Sequence, residues 1–213
     1  MKKGICYIVG AGENYGLDFT PSADDFVIAA DAGIRCLEQS GITADLVIGD
    51  FDSLDYIPSH PNTIALKPEK DETDMFAAIR EGIKAGYSVF HIYCGTGGRI
   101  DHTIANLQIL AYLSQNRMQG FLFDKDSVIT TITDSKMAFD AIPSGYVSVF
   151  SHTEKSEGVY LQGLKYELDN TMLTNTFPLG VSNEFIGKES SISVGRGTLL
   201  IIFPKEALSA IHI

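Results

Sequence analysis

Three acidic clusters stand in order along the chain: Gly49-Asp50-Phe51-Asp52-Ser53, Lys70-Asp71-Glu72-Thr73-Asp74 and Gly97-Gly98-Arg99-Ile100-Asp101-His102. Carboxylates brought together repel one another, so a fold that gathers them usually supplies a cation. Hard oxygen ligands on loops suit Mg²⁺, which takes a few carboxylates and completes its shell with water and substrate phosphates. Gly97 and Gly98 let backbone approach a ligand closely. The Arg99 fork matches phosphate oxygens with two parallel hydrogen bonds, and Lys70 offers a point charge. Together these residues point to metal-dependent chemistry on a nucleotide polyphosphate.

Each cluster also has a plainer reading. Asp50-Phe51-Asp52 alone is a solvated acidic turn. Ser53 is either a hydroxyl for a metal shell or phosphate, or a helix N-cap. Asp71, Thr73 and Asp74 at a helix start are capping chemistry. Asp101 and His102 bind metal or cap the helix that follows. Capping does not explain Lys70 beside one cluster, or a second acidic pair upstream. Gly10-Ala11-Gly12 lacks the third glycine of a dinucleotide fingerprint, since Tyr15 stands there, and reads as a tight strand-to-helix turn. His60, His91, His152 and His212 have no zinc-ligand spacing.

The elements that must position these residues alternate. Short apolar runs at Ile5 to Val9, Phe26 to Ala30, Leu46 to Ile48, Thr63 to Leu66 and Val89 to Tyr93 predict buried strands. Helical spacing predicts helices over 33–41, 73–85 and 101–116, the last with Ile104, Leu107, Leu110 and Ala111 on one face. Such alternation means a mostly parallel sheet with helices on its faces, and ligands bind at the carboxyl ends of its strands. Asp31, Asp50 and the 95–101 loop fall at those ends. After about Phe123 the helical period fades into short Thr-, Val- and Ile-rich runs at 128–133, 146–150, 156–161, 173–177, 191–194 and 198–203. These predict a β-sandwich or barrel. The fold class is α/β plus all-β, with domains 1–130 and 131–213.

The chain has 213 residues, 45% hydrophobic and 20% charged, the composition of a globular protein. A formal net charge of −11 argues against a nucleic-acid-binding surface, which needs clustered Lys and Arg. The three cysteines are far apart in sequence, without Cys-x-x-Cys, and read as reduced thiols of a cytoplasmic protein. No apolar run reaches transmembrane length.

The acidic clusters, with Ala30-Asp31-Ala32-Gly33 upstream and Gly163-Leu164-Lys165-Tyr166 and Val181-Ser182-Asn183-Glu184 downstream, resemble the signature set of the thiamine pyrophosphokinase family. The resemblance runs over essentially the whole chain. It implies transfer of pyrophosphate from ATP to the thiamine hydroxyl, giving thiamine diphosphate and AMP, with Mg²⁺ as cofactor. It places the metal at Asp50, Asp52, Asp71 and Asp74, and nucleotide or phosphate at Asp31, Ser53, Lys70, Thr73, Arg99, Asp101 and His102. Asp71, Asp74 and Arg99 are the candidate catalytic residues, and the proton acceptor stays open between Asp71 and Asp74. Ser182 and Asn183, a turn on local reading, would lie by the thiamine. The family implies a homodimer with its thiamine site across the interface. Eukaryotic members place a tryptophan after a Leu-Leu pair against the thiamine; here Leu199-Leu200 is followed by Ile201, so that contact is lost or replaced. Two other classes fit parts of the sequence. Leu46 to Asp52 resembles the strand and Asp-x-Asp of phosphatases in which the first aspartate, here Asp50, is phosphorylated. A non-catalytic thiamine- or nucleotide-binding protein is the other.

Overall fold

The computed structural model describes residues 2–54, 56–69 and 71–213, so the expectation for Lys70 lies outside the described residues. The chain divides into two compact units: residues 1–109 with 118–125, and residues 110–117 with 126–213.

The first unit is a parallel sheet. Its strands are β1 (Cys6–Val9), β2 (Phe26–Ala30), β3 (Leu46–Gly49), β4 (Thr63–Ala65), β5 (Val89–Tyr93) and β6 (Gln119–Phe123), in the order β6-β5-β1-β2-β3-β4. The strands form because their apolar runs are covered on both faces: β1 and β3 are buried throughout. From β1 the chain steps outward through β2, β3 and β4, then returns to place β5 on the other side of β1. The crevice between the ends of β1 and β5 is therefore the topological switch point, where such sheets bind ligands. Helix α1 (Gly33–Gln39) follows β2 and helix α2 (Asp74–Lys84) precedes β5. The Thr73 side chain caps α2 by accepting from Phe76 N at 3.2 Å, and Asp74 sits in its first turn.

Helix α3 (Ile100–Gln115) differs from the sequence reading in its buried face. Leu110 and Ala111 are buried as expected, but Ile104 is exposed and Leu107 half-buried, and the buried stripe runs through Asn106, Ile109, Leu110 and Leu113. The i, i+3, i+4, i+7 spacing is as expected but begins at a polar residue, which an apolar template skips.

No helix follows β1. Residues 11–24 run without regular structure, and Phe19 stacks on Tyr7 at 4.0 Å and lies 5.0 Å from Tyr93. An aromatic plug thus covers this sheet face where a crossover helix was expected. The register that sets Tyr7 opposite His91 and His91 opposite Phe121 builds the aromatic floor beneath it.

His91 is packed among Tyr7, Phe121 and Phe123. Burial lowers its pKa to about 4, with Asp25 opposing the shift. The folded state thus binds fewer protons than the unfolded chain between about pH 6.5 and 4, and stability must fall as pH drops through that window. The loss should reach up to about 3 kcal/mol by pH 4. Denaturant midpoints of wild type and His91→Phe across this range test it: the variant should lose this part of the pH slope, and parallel curves would show that His91 does not carry it.

The second unit is all-β. One group of antiparallel strands runs β12 (Gly180–Glu184), β9 (Tyr146–Ser151), β14 (Thr198–Pro204), β7 (Ser127–Thr133), and the other β11 (Leu168–Thr174), β10 (Lys155–Gln162), β13 (Ser190–Ser193), β8 (Lys136–Phe139), β15 (Ile211–His212). A 3-10 turn over Lys205–Ala210 precedes β15. Their inner faces meet in one core, where Phe139 lies 5.1 Å from Phe185 and 5.6 Å from Phe203. Ile201 is fully buried in β14. The strand expected over 173–177 ends at Thr174, which bridges to Phe177 across a turn. Ser182 and Asn183, read locally as a turn, lie in β12. Ser182 has φ 56° and the pairing with β9 shifts register between Gly180 and Asn183, so a strand irregularity gave the turn-like signal. Among the described residues, no helix is long and apolar enough to cross a membrane.

Candidate active site

Parallel pairing is what brings the first aspartates together. Ala30 stands opposite Ile48, and Asp31 N donates to Ile48 O at 2.8 Å, so Asp31 and Asp50 leave neighbouring strand ends side by side. Carboxylate oxygens of Asp31, Asp50 and Asp52 lie within 4.8 Å of one another. Phe51 turns its ring inward, 3% exposed, and leaves Asp50 and Asp52 on the outside of the bend. Asp52 N donates to Asp50 Oδ1 at 3.4 Å, and Ser53 Oγ donates to Asp52 Oδ1 at 3.1 Å.

Backbone strain is concentrated here. Asp31 (φ 51°), Phe51 (φ 60°) and Cys94 (φ 51°) adopt left-handed conformations at the ends of β2, β3 and β5. Each such residue costs roughly 1–2 kcal/mol and persists only where its surroundings hold it. Asp31 adds a second oddity: it is 9% exposed, and its Oδ1 is buried without a hydrogen-bond partner. Three carboxylates this close are the kind of oxygen donor set that a hard cation such as Mg²⁺ takes, with water and phosphate completing its shell.

Beside this cluster opens a cleft of about 360 Å³. Its walls include Gly10 to Glu13 after β1, Asp31, Ser53, Thr73, Asp74 and Met75 at the start of α2, and Cys94, Gly95 and Gly97 to Arg99 after β5, with His102 and Asn106 from α3. Gly97 and Gly98 have φ 75° and 62°, which ordinary side chains rarely adopt. Arg99 is exposed and forked onto Asp101, with Nε to Oδ1 at 3.2 Å and Nη2 to Oδ2 at 2.6 Å. That pairing raises the Arg99 pKa and lowers that of Asp101. Both groups are in solvent, so the pair is screened, and the fork is free to exchange partners. The hydrogen bond with the adjacent Cys36 thiol, together with burial, pushes the Cys94 thiol above its usual range.

Of the residues singled out in the sequence, the structure brings Asp31, Asp50 and Asp52 into one cluster. It places Ser53, Thr73, Asp74, Arg99 and His102 in the cleft wall beside it. Asp71 and Asp101 are exposed and outside the wall. Ser182 and Asn183 belong to the second unit. Asn183 is buried with its amide turned to backbone: Oδ1 accepts from Tyr166 N and Glu184 N, and Nδ2 donates to Tyr166 O. The sequence reading missed Glu13, Met75, Cys94 and Asn106. Only Asn106 carried a signal, as an amide inside an apolar helical repeat.

Comparison with known proteins agrees with this geometry. Residues 20–122 match the family model for the thiamin pyrophosphokinase catalytic domain, and residues 130–199 match that for the thiamin pyrophosphokinase vitamin B1 binding domain. The thiamine pyrophosphokinase of Bacillus subtilis (strain 168) is 28% identical over 209 residues, 94% of this chain and 98% of the relative. The crystal structure of thiamin pyrophosphokinase from Geobacillus thermodenitrificans superposes with a TM-score of 0.81 at 26% identity, covering 96% of this chain and all of that one. The yeast thiamin pyrophosphokinase structure shares the fold at 15% identity, with a TM-score of 0.75 over 97% of this chain and 88% of that one. With a catalytic-domain match over the parallel sheet and a vitamin-binding match over the β unit, the chain belongs to the thiamine pyrophosphokinase family.

Proposed function

We propose that Asp31, Asp50 and Asp52 hold Mg²⁺ beside the switch-point cleft, and that the glycine loop and Arg99 take the polyphosphate of ATP there. The protein is a thiamine diphosphokinase, which moves pyrophosphate from ATP to thiamine and releases AMP. The observation that carries the metal reading is the buried, unpartnered Asp31 Oδ1 in a group of three carboxylates. A bound Mg²⁺ supplies charge neutralisation for the polyphosphate.

The residues of the chain do the rest by positioning. Arg99 exchanges Asp101 for phosphate oxygens with the same fork. The thiamine hydroxyl oxygen attacks the β-phosphorus, the bond from that phosphorus to the α-phosphate oxygen breaks, and AMP leaves with the electron pair. The hydroxyl proton goes to a carboxylate. Asp74 lies in the cleft wall and Asp71 does not, which supports Asp74 in that role. On the thiamine side we assign contact to Ser182, which is exposed, while Asn183 shapes the loop at Tyr166. Exposed Tyr146, Phe177 and Val181 offer apolar surface for the two-fold assembly the family resemblance implies. Sedimentation should then give twice the 23.2 kDa chain mass, and a monomer at assay concentration would exclude it. We place the protein in the cytoplasm on its three free thiols.

Product analysis tests the chemistry. Purified protein with ATP, Mg²⁺ and thiamine should yield AMP and thiamine diphosphate in equal amounts. ADP with thiamine monophosphate would mean single-phosphoryl transfer, and free phosphate with a trapped acyl phosphate at Asp50 would mean the phosphatase reading.

A further inference from the structure

We propose that Asn106 is a positioning residue for the polyphosphate loop, suspending the Gly95 carbonyl and through it the Gly97-Gly98-Arg99 segment. The proposal rests on reading the cleft as the ATP site.

An asparagine inside a helix is disfavoured relative to alanine. Burying its amide without a partner would add to that cost. Asn106 is inside the helix and 4% exposed on the core-facing stripe of α3, so its amide needs a partner. Its partner is outside the helix: Nδ2 donates to Gly95 O at 2.6 Å. The fit is close, since a Cβ on Gly95 would lie 3.1 Å from Asn106 Nδ2 and 2.7 Å from Leu122 Cδ1.

Neighbouring bonds give this contact its meaning. Gly12 N donates to Cys94 O at 2.7 Å, and Glu13 N donates to Thr96 O at 2.9 Å. Thr96 Oγ1 donates to Asp124 Oδ1 at 2.7 Å. Three consecutive loop carbonyls, at residues 94, 95 and 96, are thus each held by a donor. The middle one depends on the Asn106 side chain. Immediately beyond lie two left-handed glycines, the softest backbone available, and then Arg99. Without the middle anchor the segment from β5 to Arg99 is held only at Cys94 and Thr96, and the Gly95 peptide between them is free to rotate. A misplacement of about 1 Å at a reacting group can lower rate about a hundredfold. Because Asn106 acts through the loop, its loss should fall on ATP and spare thiamine.

Asn106→Asp is the discriminating variant. It keeps shape but replaces the donor by a carboxylate, which repels the Gly95 carbonyl. Buried beside that carbonyl, the new carboxyl has a raised pKa, and once protonated it can donate again. Steady-state constants are measured for both substrates from pH 8 to pH 5.5, for wild type, Asn106→Asp and Asn106→Leu. The cleft's own charged and titratable groups, Glu13, Asp31, Asp74, Cys94, Arg99 and His102, are common to all three proteins and are removed by taking ratios to wild type.

At pH 8 we expect the ATP KM of Asn106→Asp to rise at least tenfold, with kcat lowered and thiamine KM within twofold of wild type. The deficit should narrow at least threefold at pH 5.5, while that of Asn106→Leu stays constant. An ATP KM within twofold of wild type, an equal rise for thiamine, or a deficit without pH dependence would overturn the assignment. If the isosteric variant does not fold, Asn106→Ala must show the same ATP-selective loss, and equal loss for both substrates would overturn it. Wild type that makes no AMP from ATP and thiamine would instead remove the ATP reading itself.

Discussion

Replacing Asp50 by Asn should lower kcat/KM about a thousandfold, the effect of losing roughly 4 kcal/mol of transition-state charge stabilisation. Asn keeps the size of the side chain and can still accept from Asp52 N, now 3.4 Å from Asp50 Oδ1, so the bend at Phe51 should survive. What it removes is one of three negative charges whose oxygens lie within 4.8 Å. In the absence of metal the variant should be at least as stable as wild type, because the repulsion is relieved. That combination, lower activity with equal or higher melting temperature, separates a ligand role from a structural one. A variant within about tenfold of wild type at limiting Mg²⁺ would remove Asp50 from the metal site.

The second large effect concerns Arg99. Arg99→Lys should reduce kcat/KM for ATP roughly a hundredfold, as loss of one preorganised donor does in other enzymes. Lysine preserves the charge but not the fork that now bridges both oxygens of Asp101. Thiamine KM should hardly change. Asp101→Asn is the informative partner: it releases Arg99 from its resting contact, so ATP affinity should hold or improve. An unchanged ATP KM in Arg99→Lys, or a collapse of ATP affinity in Asp101→Asn, would contradict the exchange of partners.

Strand ends and acidic clusters were legible in the sequence because they obey local rules. Apolar runs closed by Asp31 and Asp50 predicted β2 and β3, and parallel pairing then puts those aspartates side by side. Thr73 announced its helix by capping chemistry, and it does cap α2. Other features depend on partners distant in sequence. The segment after β1 has no periodic pattern to reveal that Phe19 seals the sheet by stacking on Tyr7. Strand β6, with Gly120 inside it, carries little strand signal of its own and is held by pairing with β5. Asn106 went unread in the sequence, although its Gly95 partner lies only 11 residues away, because a helix template scores polarity and not hydrogen-bonding need. The exposed Ile104 shows the same limit from the other side. Asn183 is a further case: local pattern read it as a turn, and nothing in that pattern shows that its amide holds Tyr166 and Glu184 by their backbone.

The central claim is that the carboxylates of Asp31, Asp50 and Asp52 hold the cation that carries the polyphosphate. Anomalous diffraction from crystals grown with Mn²⁺ and a non-hydrolysable ATP analogue locates that ion directly. The account predicts a manganese peak within about 2.3 Å of carboxylate oxygens of at least two of these residues, with the analogue's phosphates completing its shell. A peak bound only to phosphates, or to carboxylates elsewhere with this cluster left empty, would contradict it.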